Sequence, residues 1–245
     1  ARFIYSVFFY CFLPAIGLRL LWRGFKAPNY LRRWPERFGF SRRLNTERST
    51  IWLHAVSVGE TLAAVPLVKS LQKQYPEYRL MVTCMTPTGS ERIVSSFGDT
   101  VDHGYAPYDM PDSVARFLNR VQPRLLIIME TELWPNTIAA CHKRNIPVLL
   151  ANGRLSEKSA KAYRRINGLA RPMMCQISQV AAQHKDDADR FSDLGVTDSA
   201  LSVTGNIKFD LTISESLEQK AVALSADWRG RSRRPVILAA STHRG

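Results

Sequence analysis

The sequence predicts an α/β fold built on a parallel sheet covered on both faces. Three observations carry this. Seven apolar runs of strand length recur along the chain, amphipathic stretches of helix length separate them, and the runs end in polar residues suited to starting helices.

The first apolar stretch is of a different kind. Phe3 to Leu18 has no charge and is rich in aromatics, and with Arg19 snorkelling it extends to Trp22, about the length that spans a bilayer. Pro14 and Gly17 interrupt it, so a helix lying in the interface fits as well as one that crosses. Residues 1–22 are read as an N-terminal membrane anchor and 23–49, with Pro28 and Pro35, as a basic connector. A cleavable secretory signal ending near Ala15-Ile16-Gly17 is disfavoured, because positive charge is sparse before the apolar core and dense after it.

The predicted strands are Ile51 to His54, Leu80 to Cys84, Val101 to Tyr105, Leu125 to Met129, Val148 to Ala151, Gln179 to Ala182 and Leu201 to Val203. Helices fill the gaps: Glu60 to Gln74, Gly89 to Phe97, Ser113 to Asn119, Trp134 to Lys143, Ser156 to Ile166 and Asp186 to Asp193. Pro66 lies inside the first of these and is expected to bend it. Residues 50–212 thus form one domain, 213–233 a linker with a helix over Ser214 to Trp228, and 234–245 the first strand of another domain, Pro235 to Ala240. A lone strand cannot bury both faces, so the second domain is expected to be only begun.

The 245 residues are 45% hydrophobic, ordinary for a globular core, and carry a formal net charge of +13. A pI near 10.0 calls for an anionic partner. Much of the charge follows the anchor: Arg19, Arg23, Lys26, Arg32, Arg33, Arg37, Arg42, Arg43 and Arg48, opposed only by Glu36 and Glu47. That is the positive-inside pattern, and it places the globular part on the cytoplasmic side. Nucleic acid is excluded as a partner, because the charge is not interleaved with stacking aromatics and no named binding motif is present. Cys11, Cys84, Cys141 and Cys175 form no C-x-x-C pair and read as buried free thiols. The histidines show no metal-ligand spacing, so neither a metal nor a cofactor is expected.

Candidate chemistry sits at the strand ends, where open α/β sheets bind ligands. Ser57-Val58-Gly59-Glu60 puts a carboxylate where the first strand turns into a helix. The same residues form a capping box, with Ser57 accepting from the Glu60 N–H and Glu60 reaching back to Ser57. The helix terminus is expected to hold Glu60 ionised and to lower its basicity; attack by a sugar hydroxyl, whose proton becomes acidic only in the transition state, suits such a base. Thr86, Thr88, Gly89 and Ser90 follow the second strand, and Asn152-Gly153-Arg154-Leu155-Ser156 the fifth. Both segments can either hold a phosphate or simply cap a helix. Glu130 falls at the tip of the fourth strand, with Glu132 nearer the next helix as a capping residue. Lys208 reaches the same rim, where it either neutralises a ligand's negative charge or is a solvated surface lysine.

Together these segments resemble the 3-deoxy-D-manno-octulosonic acid (Kdo) transferases of lipopolysaccharide assembly. The resemblance runs from Lys26-Ala27-Pro28 through Ser57-Val58-Gly59-Glu60-Thr61, Met85-Thr86-Pro87-Thr88-Gly89-Ser90, Met129-Glu130-Thr131-Glu132-Leu133-Trp134-Pro135 and Thr204-Gly205-Asn206-Ile207-Lys208-Phe209-Asp210 to Ser241-Thr242-His243. It implies a metal-independent GT-B glycosyltransferase of two Rossmann-like domains at the cytoplasmic face of the inner membrane, held by anionic lipids. It implies CMP-Kdo as donor and the lipid A precursor as acceptor, with Glu60 as proton acceptor and Glu130 and Lys208 as transition-state stabilisers. Ser57, Gly59, Thr86, Thr88, Gly89, Ser90 and Arg154 become acceptor-binding candidates. The donor-binding residues of the family lie beyond Gly245, so the 245-residue chain is expected to be inactive alone. The competing reading is a non-catalytic membrane protein that binds anionic lipid.

Overall fold

Two series of crossovers, wound in opposite directions, set the architecture. The computed structural model describes residues 1–44, 47–210 and 215–229. Its strands are β1 (Thr50–His54), β2 (Arg79–Cys84), β3 (Asp102–Tyr105), β4 (Pro123–Met129), β5 (Val148–Gly153), β6 (Gln179–Ala182) and β7 (Leu201–Val203). All pair in parallel in the order β3-β2-β1-β4-β5-β6-β7. The chain winds from β1 outward to β3, then returns to place β4 beside β1 and winds the other way, which makes the β1/β4 boundary a topological switch point.

Eleven helices are described: α1 (Arg2–Cys11), α2 (Leu13–Lys26), α3 (Trp34–Arg37), α4 (Val58–Gln74), α5 (Pro87–Phe97), α6 (Pro111–Val121), α7 (Pro135–Lys143), α8 (Glu157–Arg165), α9 (Asn167–Met174), α10 (Lys185–Asp193) and α11 (Glu215–Arg229). The seven strands and six interstrand helices match the expected elements to within a few residues. α4 remains one α-helix through Pro66. α9, which Cys175 caps, is a helix that the sequence places around Cys175 without bounds. Residues 1–209 form one compact unit, apart from which α11 is described by itself. The strand expected over 235–240 lies outside the described residues.

Strand alternation divides the core between the two faces of the sheet. Ile51, Leu53, Val82, Ile127 and Met129 pack with Ala63, Ala64 and Val68 of α4 and Ile93 and Phe97 of α5. Trp52, Leu126, Ile128, Leu150 and Val180 pack with residues of α6, α7, α9 and α10, among them Phe117, Ile138, Met174 and Phe191. Every residue of β1 is buried, as a central strand covered on both faces requires. Of the thiols expected to be buried, Cys84 and Cys141 are, but Cys11 and Cys175 are exposed. Cys11 ends α1 and Cys175 caps α9, two surface termini that core packing does not reach.

The connector is more ordered than its charge suggests. Arg33, at φ 60°, forms a bidentate pair with Glu36 at 2.7 and 2.8 Å and donates to Ser90 Oγ at 3.1 Å. Glu36 accepts from the Tyr105 N–H at 2.8 Å. Arg37 is buried, donates to the Met85 carbonyl at 3.1 Å and stacks 4.0 Å from the Tyr105 ring. These residues fasten the connector to the carboxyl ends of β2 and β3. Gly39, at φ +82°, lets the chain pass Ser113, whose carbonyl oxygen would lie 2.1 Å from any Cβ there.

No single described helix is long and apolar enough to cross a membrane; α1 and the Leu13–Phe25 part of α2 reach that length only together, bent by 48°. One face of α1 is held by the domain. Ser6 accepts from Asn136 Nδ2 at 3.0 Å, and Phe9 lies 6.3 Å from Tyr108. Beneath it the buried Asp109 carboxylate accepts from the backbone N–H groups of Asn136 (2.9 Å) and Thr137 (2.7 Å) and from the Thr137 hydroxyl (2.7 Å). This caps α7 from a distant segment. Asp109→Ala leaves those donors unpaired in a buried setting and is expected to cost about 2 kcal/mol, read as a lowered urea midpoint.

Candidate active site

Glu60 lies in the first turn of α4, just after β1, and Glu130 follows the last residue of β4. The two carboxylates therefore flank the switch point between adjacent strands. That placement needed the strand order, which the local sequence does not contain.

Glu60 is 7% exposed. Its N–H donates to Ser57 Oγ at 3.2 Å, the Ser57 hydroxyl donates to Glu60 Oε1 at 2.8 Å, and the Val56 N–H donates to Oε2 at 2.8 Å. The capping box is present, but the carboxylate reaches the backbone of Val56 rather than that of Ser57. The expected lowering of its basicity is reversed. Burial holds the Glu60 carboxyl above the ordinary glutamate range; the Val56 and Ser57 hydrogen bonds oppose this, and the charges of Glu132 and Glu130 add to it. A helix terminus favours the anion, but here loss of water outweighs it.

Glu130 adopts φ 57°, a conformation unusual for a residue with a side chain, and its N–H donates to the Ala151 carbonyl at 2.9 Å. Lys208 Nζ lies 3.0 Å from Glu130 Oε1. Lys208 follows β7, three strands away from β4 in the sheet, and the chain between crosses the intervening strand ends stepwise. Thr204 N donates to the Ala182 carbonyl after β6 at 2.9 Å. Ile207 N donates to Asn152 Oδ1 at the end of β5 at 3.2 Å. The lysine then meets Glu130 at the end of β4.

Glu132 does not cap α7. The N-cap residue is Trp134, and the first amides of the helix go to Asp109. Burial and the neighbouring Glu130 instead hold the Glu132 carboxyl up. Among the described residues no three His, Cys, Asp or Glu side chains converge as a metal site would require.

The other candidates divide by what they already bind. Ser57 is committed to Glu60. Gly59 faces open space: a Cβ at that position would meet only Ser57 Oγ within 4 Å, at 3.9 Å. Thr86 caps α5 by accepting from Gly89 N at 3.1 Å, and its hydroxyl is 3.3 Å from that of Thr88. Ser90 turns away into the connector network, with His103 Nε2 at 3.1 Å and Arg33 at 3.1 Å. The Arg154 carbonyl accepts from the Thr131 hydroxyl, and its exposed guanidinium pairs with no carboxylate among the described residues. Ser156 caps α8. The structure thus brings Ser57, Gly59, Glu60, Glu130, Glu132 and Lys208 to one rim and removes Ser90 from it. Asn152, read as holding a phosphate or capping a helix, instead accepts from the Ile207 N–H, and the helix-capping role of Asp109 was not foreseen; the sign available for the Asn152 backbone was an amide before Gly153 at a strand end, a pairing suited to left-handed backbone.

Residues 32–211 match the model of the family described as 3-deoxy-D-manno-octulosonic-acid transferase (kdotransferase). The chain is 44% identical over 245 residues to the 3-deoxy-D-manno-octulosonic acid transferase of Haemophilus influenzae, covering 100% of this chain and 57% of that protein. It is 35% identical over 201 residues to the transferase of Bordetella pertussis, covering 80% and 45%. It is 32% identical over 251 residues to the probable mitochondrial transferase of Arabidopsis thaliana, covering 99% and 55%. The chain therefore spans about half the length of these relatives. Among solved structures, UDP-GlcNAc 2-epimerase from Neisseria meningitidis bound to UDP-GlcNAc superposes with a TM-score of 0.50 at 14% identity, over 72% of this chain and 54% of that one. That likeness shows the fold, an α/β parallel sheet of the kind expected for a GT-B glycosyltransferase. With the family model matched across the whole sheet, the chain belongs to the Kdo transferase family.

Proposed function

We propose that this chain is the acceptor-side part of an enzyme that moves Kdo from CMP-Kdo to the lipid A precursor, with Glu60 as general base. The observation that carries the reading is a buried carboxylate of raised proton affinity at the switch point, beside the Glu130–Lys208 pair. An acceptor hydroxyl attacks the anomeric carbon of Kdo, its proton passes to Glu60, and the bond from that carbon to the CMP phosphate oxygen breaks with its electron pair leaving on CMP. Raised basicity suits this step, because a carboxylate held above its ordinary range takes the developing proton more readily. Lys208 offsets the negative charge that gathers on the departing phosphate, and Glu130 both orients Lys208 and faces the electron-poor anomeric centre. Thr86, Thr88, Gly59 and Arg154 line the approach as acceptor-binding residues.

The test is transfer of labelled Kdo from CMP-Kdo to purified lipid A precursor by the chain extended to the full length of its relatives. Labelled glycolipid supports the reading. Free Kdo with no glycolipid, or no turnover of CMP-Kdo, rejects it.

The acceptor is a membrane lipid, and α1 and α2 fit a cytoplasmic inner-membrane surface. Phe3 is 80% and Phe25 89% exposed, with Ile4, Phe8, Phe12, Leu18 and Leu21 also exposed, and Arg19, Arg32, Arg42 and Arg43 are exposed nearby in sequence. The held face of α1 and the 48° bend favour a pair of helices lying in the interface with anionic lipid. The chain is expected to cosediment with vesicles containing phosphatidylglycerol and less with pure phosphatidylcholine. Phe3→Ser with Phe25→Ser should weaken that partition by about tenfold or more. Equal sedimentation by wild type and double variant would remove these helices from the membrane contact.

A further inference from the structure

We propose that Asn152 is a positioning residue: through its side-chain oxygen it holds the backbone of Ile207 and so sets Lys208 against Glu130. The inference rests on the role of Lys208 given above and adds a residue to it. Asn152, the penultimate residue of β5, is in the left-handed conformation, φ 56°, and is 4% exposed. Its Oδ1 accepts from the Ile207 N–H at 3.2 Å. Its own backbone is fixed in turn, since its carbonyl accepts from Gln183 Nε2 at 3.1 Å, and Gln183 N donates to the Gly153 carbonyl at 2.9 Å.

The need for such a clamp follows from the path of the chain. Between Val203 and Lys208 the backbone leaves the sheet edge and returns across β6 and β5 to the end of β4. Gly205, at φ +81° with nothing within 4 Å of a Cβ, gives the turn but no packing. The Lys208 N–H is bonded to Asn206 Oδ1 at 3.0 Å, a contact within the loop that fixes its shape but not its place. The Lys208–Glu130 pair is itself partly exposed, 49% and 29%, and such pairs hold geometry weakly. Asn152, itself buried, supplies a part-buried hydrogen bond from the sheet to the residue before the lysine. Among the described residues its Nδ2 has no hydrogen-bond partner, so the contact to Ile207 is made through the oxygen alone.

The experiment uses the chain extended to the full length of its relatives and measures kcat and KM separately. Asn152→Gly keeps the backbone conformation and removes the acceptor; kcat should fall about tenfold with KM for the lipid acceptor unchanged, as for a displaced catalytic group. Asn152→Asp keeps the acceptor oxygen and should retain at least half of wild-type kcat. Ile207→Pro removes the donor of the same bond from the opposite side and should match Asn152→Gly, which keeps the test open if the glycine variant folds poorly. In a Lys208→Met background, Asn152→Gly should cost less than twofold more. A full additional tenfold loss there, or a wild-type kcat in Asn152→Gly, overturns the positioning role. Wild-type turnover in Lys208→Met alone instead rejects the reading of Lys208 on which it rests.

Discussion

Glu60→Gln, in the chain extended to the full length of its relatives, is expected to lower kcat by about 10²- to 10⁴-fold, the usual worth of a general base, and to leave acceptor affinity intact. The substitution isolates the proton-accepting role because the local structure tolerates it. A glutamine Oε1 can still accept from the Val56 N–H, and its Nε2 can donate to the Ser57 hydroxyl, which rotates to suit. The cap formed by the Glu60 N–H and Ser57 Oγ is untouched. Unfolding midpoints of the two proteins should therefore agree while their turnover does not. A purely lipid-binding protein would show no change in either.

The pH profile carries the same prediction with a sign. In the proposed role Glu60 accepts a proton only when deprotonated, so kcat/KM should fall as pH drops through its pKa. Burial and the Glu132 and Glu130 charges raise that pKa, so the acid limb should lie above the ordinary glutamate value of 4.5. Removing one of those charges with Glu132→Gln should move the limb to lower pH. An acid limb that stays put in Glu132→Gln would separate the titrating group from Glu60.

Why the sequence pointed to this residue, yet to the opposite direction of its shift, has a physical answer. The helix starts were legible because caps are local: Ser57, Thr86 and Ser156 each accept from an amide three residues on. The strands were legible because a parallel sheet buries both faces and leaves contiguous apolar runs. Burial of Glu60, by contrast, depends on what covers it, and its neighbours Glu130 and Glu132 arrive from a strand about 70 residues away. A local pattern reports the helix terminus and not the lost water. The bounds of α9 were not legible for a related reason, since Gly168 and Pro172 lie within it and only packing of Ala170, Met173 and Met174 into the core offsets their poor helix propensity. Glu132 was assigned to a cap that Asp109 makes instead, across a separation of 27 residues to Asn136.

Lys208→Met is expected to lower kcat by about 10²- to 10³-fold, the range for removing one group that stabilises charge developing in the transition state. Stability should hardly change, because a partly exposed ion pair such as Lys208–Glu130 contributes about 0–1 kcal/mol. That contrast gives the prediction its force. A residue kept for folding loses stability and activity together, whereas a charge placed for chemistry loses activity alone. Methionine preserves much of the length and apolar stem of lysine and removes the ammonium, so a folded, inactive variant assigns the loss to charge. Lys208→Arg restores charge but not the compact ammonium 3.0 Å from Glu130, and should recover only part of the rate. Single-turnover measurements place the effect on the bond-breaking step, and urea midpoints check the fold. If Lys208→Met turns over at the wild-type rate, the pair is a surface contact and the charge on departing CMP is met from elsewhere in the enzyme.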